Sequence, residues 1–369
     1  MIKVLHMVPF GGGSQGGIET FIMNIYRRID RSKIQFDFMT YGEPKYFSDE
    51  IKKLGGKIFQ LTSRKKNPLK AYLETKKLLD EYGEEYQFLH LHLCSASNIL
   101  PLKLNKKIPK VIVHSHLSAT LGIIPFYLHK YNQKMILKKV DYFFSCSDLA
   151  AEHMYGKDYE KDKRYHFIPN AIDTEQFCYN SLIRKKIRQE YHLEESSIVI
   201  GFVGRLAEIK NTPFLIDILE EYIKKKENTT LLIVGDGPDM EKLRRKIKEK
   251  GLMDKALLVG SSNKVADFLQ AMDIFVTASK VEGFPVSIVE AEAAGLPCVV
   301  STAITKQVNI DGAVCFVDKK AKAHVWAKII NNVSIENREN RAKKIENSVF
   351  NIKKLISRIE EFYETERMH

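Results

Sequence analysis

The chain has 369 residues, 44% of them hydrophobic and 28% charged, a composition expected of a globular protein rather than a disordered or fibrous one. Its length exceeds what one hydrophobic core usually supports, so two domains of about 100 to 200 residues are expected. The net charge of +12 comes without a zinc-finger, RNP-type or basic-zipper pattern, which argues against nucleic acid as a partner, and no apolar run approaches the roughly 20 residues of a membrane span.

In chain order, short apolar runs alternate with helical patterns, the signature of βαβ units and parallel sheets in an α/β fold. The first half predicts strands at Val4–Val8, Phe36–Met39, Lys57–Leu61, Phe88–Leu93, Lys110–Val113, Tyr142–Ser145 and Tyr165–Ile168. The N-terminal residues before Pro9 are too short and too soon interrupted for a signal peptide and read as the first buried strand. The glycine-rich loop from Gly11 to Gly17 follows that strand and opens a helix, the place of a phosphate-binding turn, although its spacing is not the dinucleotide fingerprint. His90 and His92 stand on one strand, and His114 and His116 at the end of the next. Alternation puts each pair on one side of its strand, but no third convergent ligand is evident, so no metal is expected.

Residues 1 to 180 carry 27 Lys+Arg against 19 Asp+Glu, a balance of +8, and the remainder 31 against 27, or +4. Much of the excess lies at Arg64–Lys66, at Lys103, Lys106, Lys107 and Lys110, and at Lys130, Lys134, Lys138 and Lys139. The last cluster stands beside the apolar run Ile123–Leu128, so it suits either an anionic membrane surface or a solvated helix face. Five widely spaced cysteines without a CxxC indicate neither a disulfide framework nor a zinc site, and the expected compartment is the reducing cytoplasm.

Residues 181 to 197 lack a strand and are rich in charge, as a connector would be. Beyond them strands are predicted at Ile198–Val203, Thr230–Val234, Ala256–Val259, Ile274–Thr277 and Cys298–Val300. Between the last two runs Glu282-Gly-Phe-Pro-Val-Ser-Ile-Val-Glu290 places two carboxylates eight positions apart at a loop-to-helix junction. Pro285 fits the first turn of a helix that runs to Gly295. Glu282 then lies just outside the helix and Glu290 about one and a half turns in. The N–H groups of Gly283, Phe284 and Val286 point out of the helix start, where the dipole favours anions. The segment from Glu339 to His369 reads as a helix with one apolar stripe through Ile345, Leu355, Ile359 and Phe362.

The Glu282 to Glu290 pattern resembles the Glu-x7-Glu motif of retaining glycosyltransferases of family 4, which have the GT-B fold of two facing Rossmann-like domains. Gly204-Arg205-Leu206 with Lys210 is similar to the family's diphosphate clamp. His166-Phe-Ile-Pro-Asn170 through Asp173 is similar to the segment closing the first domain, and Gly16 and Gly17 match its Gly-Gly step. His116 matches a histidine that reaches the reacting sugar, with His114 the adjacent alternative. The 308–316 loop departs from the pattern, because it lacks the family's second Asn-Gly pair.

This resemblance implies a first domain over residues 1–180, the connector 181–197, a nucleotide-sugar-binding domain over 198–345, and a terminal helix over 346–369 that returns to the first domain. It implies a retaining hexosyltransferase that needs no metal or other cofactor and uses a nucleoside diphosphate sugar, most simply a UDP-sugar. Arg205 and Lys210 would hold the diphosphate, Glu290 the ribose hydroxyls and Glu282 the donor sugar. Gly204, Gly283 and Phe284 would offer backbone N–H groups, and Ser261 to Val265 would contact the base. The implied acceptor is a saccharide or lipid-linked saccharide of a capsule or exopolysaccharide, met in the cytoplasm or at the inner face of the membrane. A sugar-nucleotide epimerase of the same fold and a non-catalytic sugar- or membrane-binding scaffold are the alternatives.

Overall fold

The computed structural model describes residues 1–8, 17–44, 47–117, 120, 122–282 and 284–367. The chain divides into two compact units, residues 1–170 with 352–369, and residues 171–351. In the first, seven strands, β1 (Ile2–Met7), β2 (Ile34–Tyr41), β3 (Ile58–Leu61), β4 (Phe88–Leu93), β5 (Lys110–Ser115), β6 (Tyr142–Ser145) and β7 (Tyr165–Phe167), form a sheet in the order β3-β2-β1-β4-β5-β6-β7. In the second, β8 (Ile198–Val203), β9 (Thr229–Val234), β10 (Ala256–Gly260), β11 (Ile274–Thr277), β12 (Cys298–Ser301) and β13 (Val314–Val317) follow the order β10-β9-β8-β11-β12-β13.

Every pairing in both sheets is parallel. That arrangement follows from strands that are apolar on both faces: β4 and β12 are buried throughout, so helices must cover both sides. Each sheet starts at a central strand, grows to one edge and then returns to the other side, which makes β1/β4 and β8/β11 the two places where strand order reverses. Loops leaving the carboxyl ends of such strands form the crevice where α/β sheets bind ligands.

Three boundaries differ from the sequence reading. The division falls after Asn170, not after residue 180, and the charged stretch at 181–197 is no free connector. Ser181–Glu190 is a helix of the second unit, capped by Asn180, whose Oδ1 accepts from the N–H groups of Leu182 and Ile183. Its Arg184 and Arg188 each bind Asp273 at 2.7 Å, and Asp273 also accepts the Val199 N–H at 2.7 Å. The two arginines, four residues apart, share one helix face, and their buried partner lies some eighty residues downstream.

The C-terminal segment is two helices, Arg338–Glu346 and Ile352–Glu366. Between them Ser348 Oγ donates to the Ile345 carbonyl and Asn351 Nδ2 to the Glu346 carbonyl, polar side chains competing with the helix for its own backbone. The second helix belongs to the first unit, where Leu355, Ile359 and Tyr363 are buried. Strand β13 was absent from the sequence reading because its four residues, Val-Cys-Phe-Val, sit behind a polar loop and show no alternation.

Candidate active site

The loops leaving β8 and β11 flank the strand-order reversal of the second unit. Gly204 follows β8 and is held by the β9 loop: Gly204 N–H donates to the Val234 carbonyl at 3.0 Å, Leu206 N–H to Asp236 at 2.9 Å, and Asp239 N–H back to Leu206 at 3.0 Å. Such close backbone contact requires Gly235, which has φ +143° and whose added Cβ would stand 1.9 Å from the Gly204 carbonyl oxygen. Gly235 was not singled out in the sequence. Its signal is the Gly-Asp-Gly after a strand, which reads on its own as an ordinary turn.

The loop then makes a single 3₁₀ turn, Glu208–Lys210, and is stitched to the β11 loop by the Lys280 N–H on the Ile209 carbonyl at 2.7 Å. This contact sets Lys210 Nζ 2.6 Å from Glu282 Oε1. Glu282 is 8% exposed, so the pair is largely withdrawn from water and its attraction is weakly screened. An ammonium has three donors, which leaves Lys210 capacity for an anion beside the carboxylate. Arg205, on the same loop, is exposed.

The second carboxylate arrives on a helix, Val286–Ala293. Pro285 is the residue before its first turn, with φ −80° and ψ 96°, one position earlier in role than the sequence suggested. The helix closes at Gly295, φ +73°, with Leu296 N–H on the Ala291 carbonyl at 2.9 Å. Glu290 is half-buried and pairs with no cation among the described residues. Burial alone pushes its carboxyl from 4.5 up to about 7. Phe284 packs its ring on Phe350 at 5.1 Å, so only its backbone is left for a ligand. Gly283 lies outside the described residues.

Glu292, one turn face away from Glu290, does other work. Its Oε1 accepts the N–H groups of Ile310 and Asp311 at 3.0 and 3.3 Å, which pins the 308–316 loop to the helix. Burial and the neighbouring Asp311 push the Glu292 carboxyl well up. Ser261 and Val265 follow β10, two strands from β8. Gly235 N–H on the Gly260 carbonyl at 2.8 Å is the link between these loops. Ser261 is exposed and lines an open hollow of about 390 Å³ with Glu190, Tyr191 and Phe268.

In the first unit, Gly17 opens the helix Gly17–Tyr26, and Gly16 and the rest of the glycine loop lie outside the described residues. His116 is 8% exposed and His114 sealed. They belong to a larger array that strand pairing assembles: β1–β4 register sets His6 beside His90, and β4–β5 register sets His92 beside His114. His6 was missed because a lone histidine in an apolar strand carries no signal until the register is known. Five imidazoles thus share one sheet face. His6 Nδ1 meets His92 Nε2 at 3.0 Å, His92 Nδ1 meets His116 Nε2 at 2.9 Å, and Tyr363 Oη meets His90 Nδ1 at 2.8 Å. Burial drives His6 and His116 down to about 3, and His90, His92 and His114 well down.

The third convergent nitrogen that the sequence lacked is therefore present, since His6, His90 and His92 lie within 4.8 Å of one another, as do His92, His114 and His116. Their geometry suits hydrogen bonding better than chelation. Neighbouring rings stack, His90 on His92 at 4.3 Å and 10° and His114 on His116 at 4.1 Å and 26°, and in-plane lone pairs of stacked rings run side by side. Both groups consist of imidazoles alone.

Two family models match the chain, "Glycosyltransferase Family 4" over residues 15–176 and "Glycosyl transferases group 1" over 183–349. EpsF of Bacillus subtilis, a glycosyltransferase by name, is 29% identical over 92% of this chain and 89% of its own length. CapH of Staphylococcus aureus, a capsular polysaccharide biosynthesis glycosyltransferase, is 26% identical over 79% of each chain. The UDP-Gal:alpha-D-GlcNAc-diphosphoundecaprenol alpha-1,3-galactosyltransferase of Escherichia coli is 28% identical over 68% of this chain and 64% of its own. Among solved structures, Anabaena HepE in complex with UDP superposes with a TM-score of 0.79 at 17% identity, covering 99% of this chain and 100% of that one. The glycosyltransferase WaaG superposes at 0.71 and 14%, covering 98% and 99%. Two consecutive glycosyltransferase matches, over the two parallel-sheet units of a GT-B fold, establish that this chain is an enzyme of the family 4, group 1 glycosyltransferases.

Proposed function

We propose that the protein transfers a hexose, with retention at the anomeric carbon, from a UDP-sugar to a saccharide or lipid-linked saccharide of a surface polysaccharide. The observation that carries the reading is the Lys210–Glu282 pair at the reversal point of the second sheet, with Arg205 exposed on the same β8 loop and Glu290, on the helix that follows, paired with no cation among the described residues. The Escherichia coli relative is named for a UDP-galactose donor and HepE was solved with UDP, which favours uracil as the base.

As the bond from sugar to diphosphate breaks, negative charge grows on the phosphate, and preorganised donors there lower the barrier most. Lys210, held by Glu282, meets that charge as a fixed point cation, and Arg205 as a planar fork. Glu290 accepts the ribose hydroxyls, Glu282 stands by the sugar, and the backbone at Gly204, Gly283 and Phe284 supplies further donors. Ser261 and Val265 serve the base. The roles of Gly16, Gly17 and His116 rest on the family resemblance. Two cations suffice for the diphosphate, so donor binding proceeds without a metal.

Thermal melting with UDP, GDP, ADP or CDP in EDTA tests the donor. A ligand at about 100 times its Kd adds roughly 2.7 kcal/mol; UDP alone is expected to do so, and no response to any diphosphate would sink the reading. The anomeric coupling of the new glycosidic linkage, read by NMR and compared with that of the donor, tests retention. An epimerised sugar without transfer would favour an epimerase, and donor binding without any turnover a scaffold.

The acceptor side is proposed to lie against an anionic membrane. The helix Ile123–Lys139 exposes Ile123 (78%), Ile124 (74%), Tyr127 (69%) and Tyr131 (68%), with Lys130, Lys134, Lys138 and Lys139 exposed on the same helix. No helix among the described residues is long and apolar enough to cross a membrane, so attachment would be peripheral, through apolar insertion and basic contacts.

A further inference from the structure

The histidines of the first unit form two hydrogen-bonded rows. Tyr363, His90 and His114 make one, with 2.8 and 3.4 Å steps, and His6, His92 and His116 the other, with 3.0 and 2.9 Å steps. In the second row each internal step uses a different nitrogen of His92, so the protons must all point one way. Either His6 and His92 donate from Nδ1 toward His116, or His116 and His92 donate from Nε2 toward His6.

The far end of the row decides between them. His6 Nε2 is sealed and has no hydrogen-bond partner among the described residues. His6 lines a small space of about 10 Å³ whose walls are Phe21, Ile25, Phe36 and Ile359 together with His90, His114 and Tyr363. A proton on that nitrogen would be an orphaned buried N–H, whereas a lone pair left unpaired costs less. The proton therefore sits on His6 Nδ1, His92 receives at Nε2 and donates from Nδ1, and His116 receives at Nε2. His116 Nδ1, which carries the remaining proton, has no partner among the described residues.

We infer that the row His6–His92–His116 fixes His116 as the Nδ1–H tautomer, so that it meets the reacting sugar as a hydrogen-bond donor and not as a base, with His92 as the positioning residue. The catalytic half rests on the role proposed for His116. Proton uptake at Nε2 is blocked by the His92 N–H, and Nδ1 is already occupied. Burial, which holds every member of the row far below the ordinary imidazole range, keeps the tautomer neutral.

Long-range ¹H–¹⁵N spectra of the full chain labelled at histidine read the tautomers without any assay of activity. Protonated Nδ1 and bare Nε2 at His6, His92 and His116 are expected, with and without UDP; a protonated Nε2 at His116 overturns the inference. In His92→Phe, His116 should acquire Nε2–H, and kcat should fall roughly tenfold, about one hydrogen bond, at unchanged donor KM. His92→Asn, whose amide N–H replaces the Nδ1 donor, should recover most of the loss. An unaltered His116 tautomer in His92→Phe also overturns the inference. Unchanged kcat in His116→Ala would remove that residue's proposed role, and with it the catalytic half, while the spectra stand on their own.

Discussion

Glu290 is subject to two opposing pH effects. Its carboxyl is raised by burial to about 7 from 4.5, so the folded protein takes up a proton on acidification that the unfolded chain takes up only near 4.5. This group's contribution to stability is therefore fully present below the unfolded value and lost as pH rises through about 7. Donor binding runs the other way, because the ribose hydroxyls donate to the carboxylate. UDP affinity, measured by calorimetry, should be highest above pH about 7 and fall roughly tenfold per pH unit below it. Glu290→Gln should weaken UDP binding and flatten that profile; a profile unchanged in the variant would remove Glu290 from the ribose role. Glu282 and Glu290 could both be found in sequence by their spacing. Which one pairs with Lys210 could not, because that contact depends on the β8 and β11 loops meeting.

The elements around the site are held by buried polar contacts that make specific demands. Glu292→Gln keeps the oxygen that accepts from Ile310 and Asp311 and, with the carboxyl pushed well up, should unfold in urea much like the parent. Glu292→Ala leaves two N–H groups unpaired and should cost about 2 to 3 kcal/mol. Asp273→Ala strands Arg188, which is 1% exposed, and should cost about 3 to 5 kcal/mol, read by the same denaturation. Gly295→Ala meets both the left-handed φ of +73° and the Arg338 carbonyl oxygen at 2.2 Å from the new Cβ, and should destabilise the helix that carries Glu290. Arg338 itself was not foreseen. Its guanidinium donates to the carbonyls of Leu269, Gln270, Met272 and Ala294, groups that helix ends leave unsatisfied. Nothing local to Arg338 names those partners.

For the molecule as a whole, attachment to an anionic surface is testable on the intact chain. Co-sedimentation with vesicles containing anionic lipid should occur at low salt, weaken at about 0.5 M salt as the basic contacts are screened, and drop in Ile124→Glu. Equal binding to neutral vesicles would remove the basic cluster from the account. The final helix sets a second expectation. Tyr363 is 1% exposed and bonds His90, so Tyr363→Ala should lower the melting point of the first unit by opening a cavity, at a cost of about 3 to 5 kcal/mol.

Strand positions other than β13, the α/β class, the paired glutamates and the Gly204–Lys210 segment were present in the sequence, because each depends on periodicity or spacing within a few residues of chain. The tertiary structure alone decided the rest. Register between β1, β4 and β5 gathered five histidines into rows, close backbone approach at Gly235 gave that glycine its purpose, and Asp273 turned an apparent connector into a helix of the second unit. These depend on contacts between residues tens to hundreds apart, where the energy of burying a polar group is settled by which partner arrives, and no local pattern records that partner.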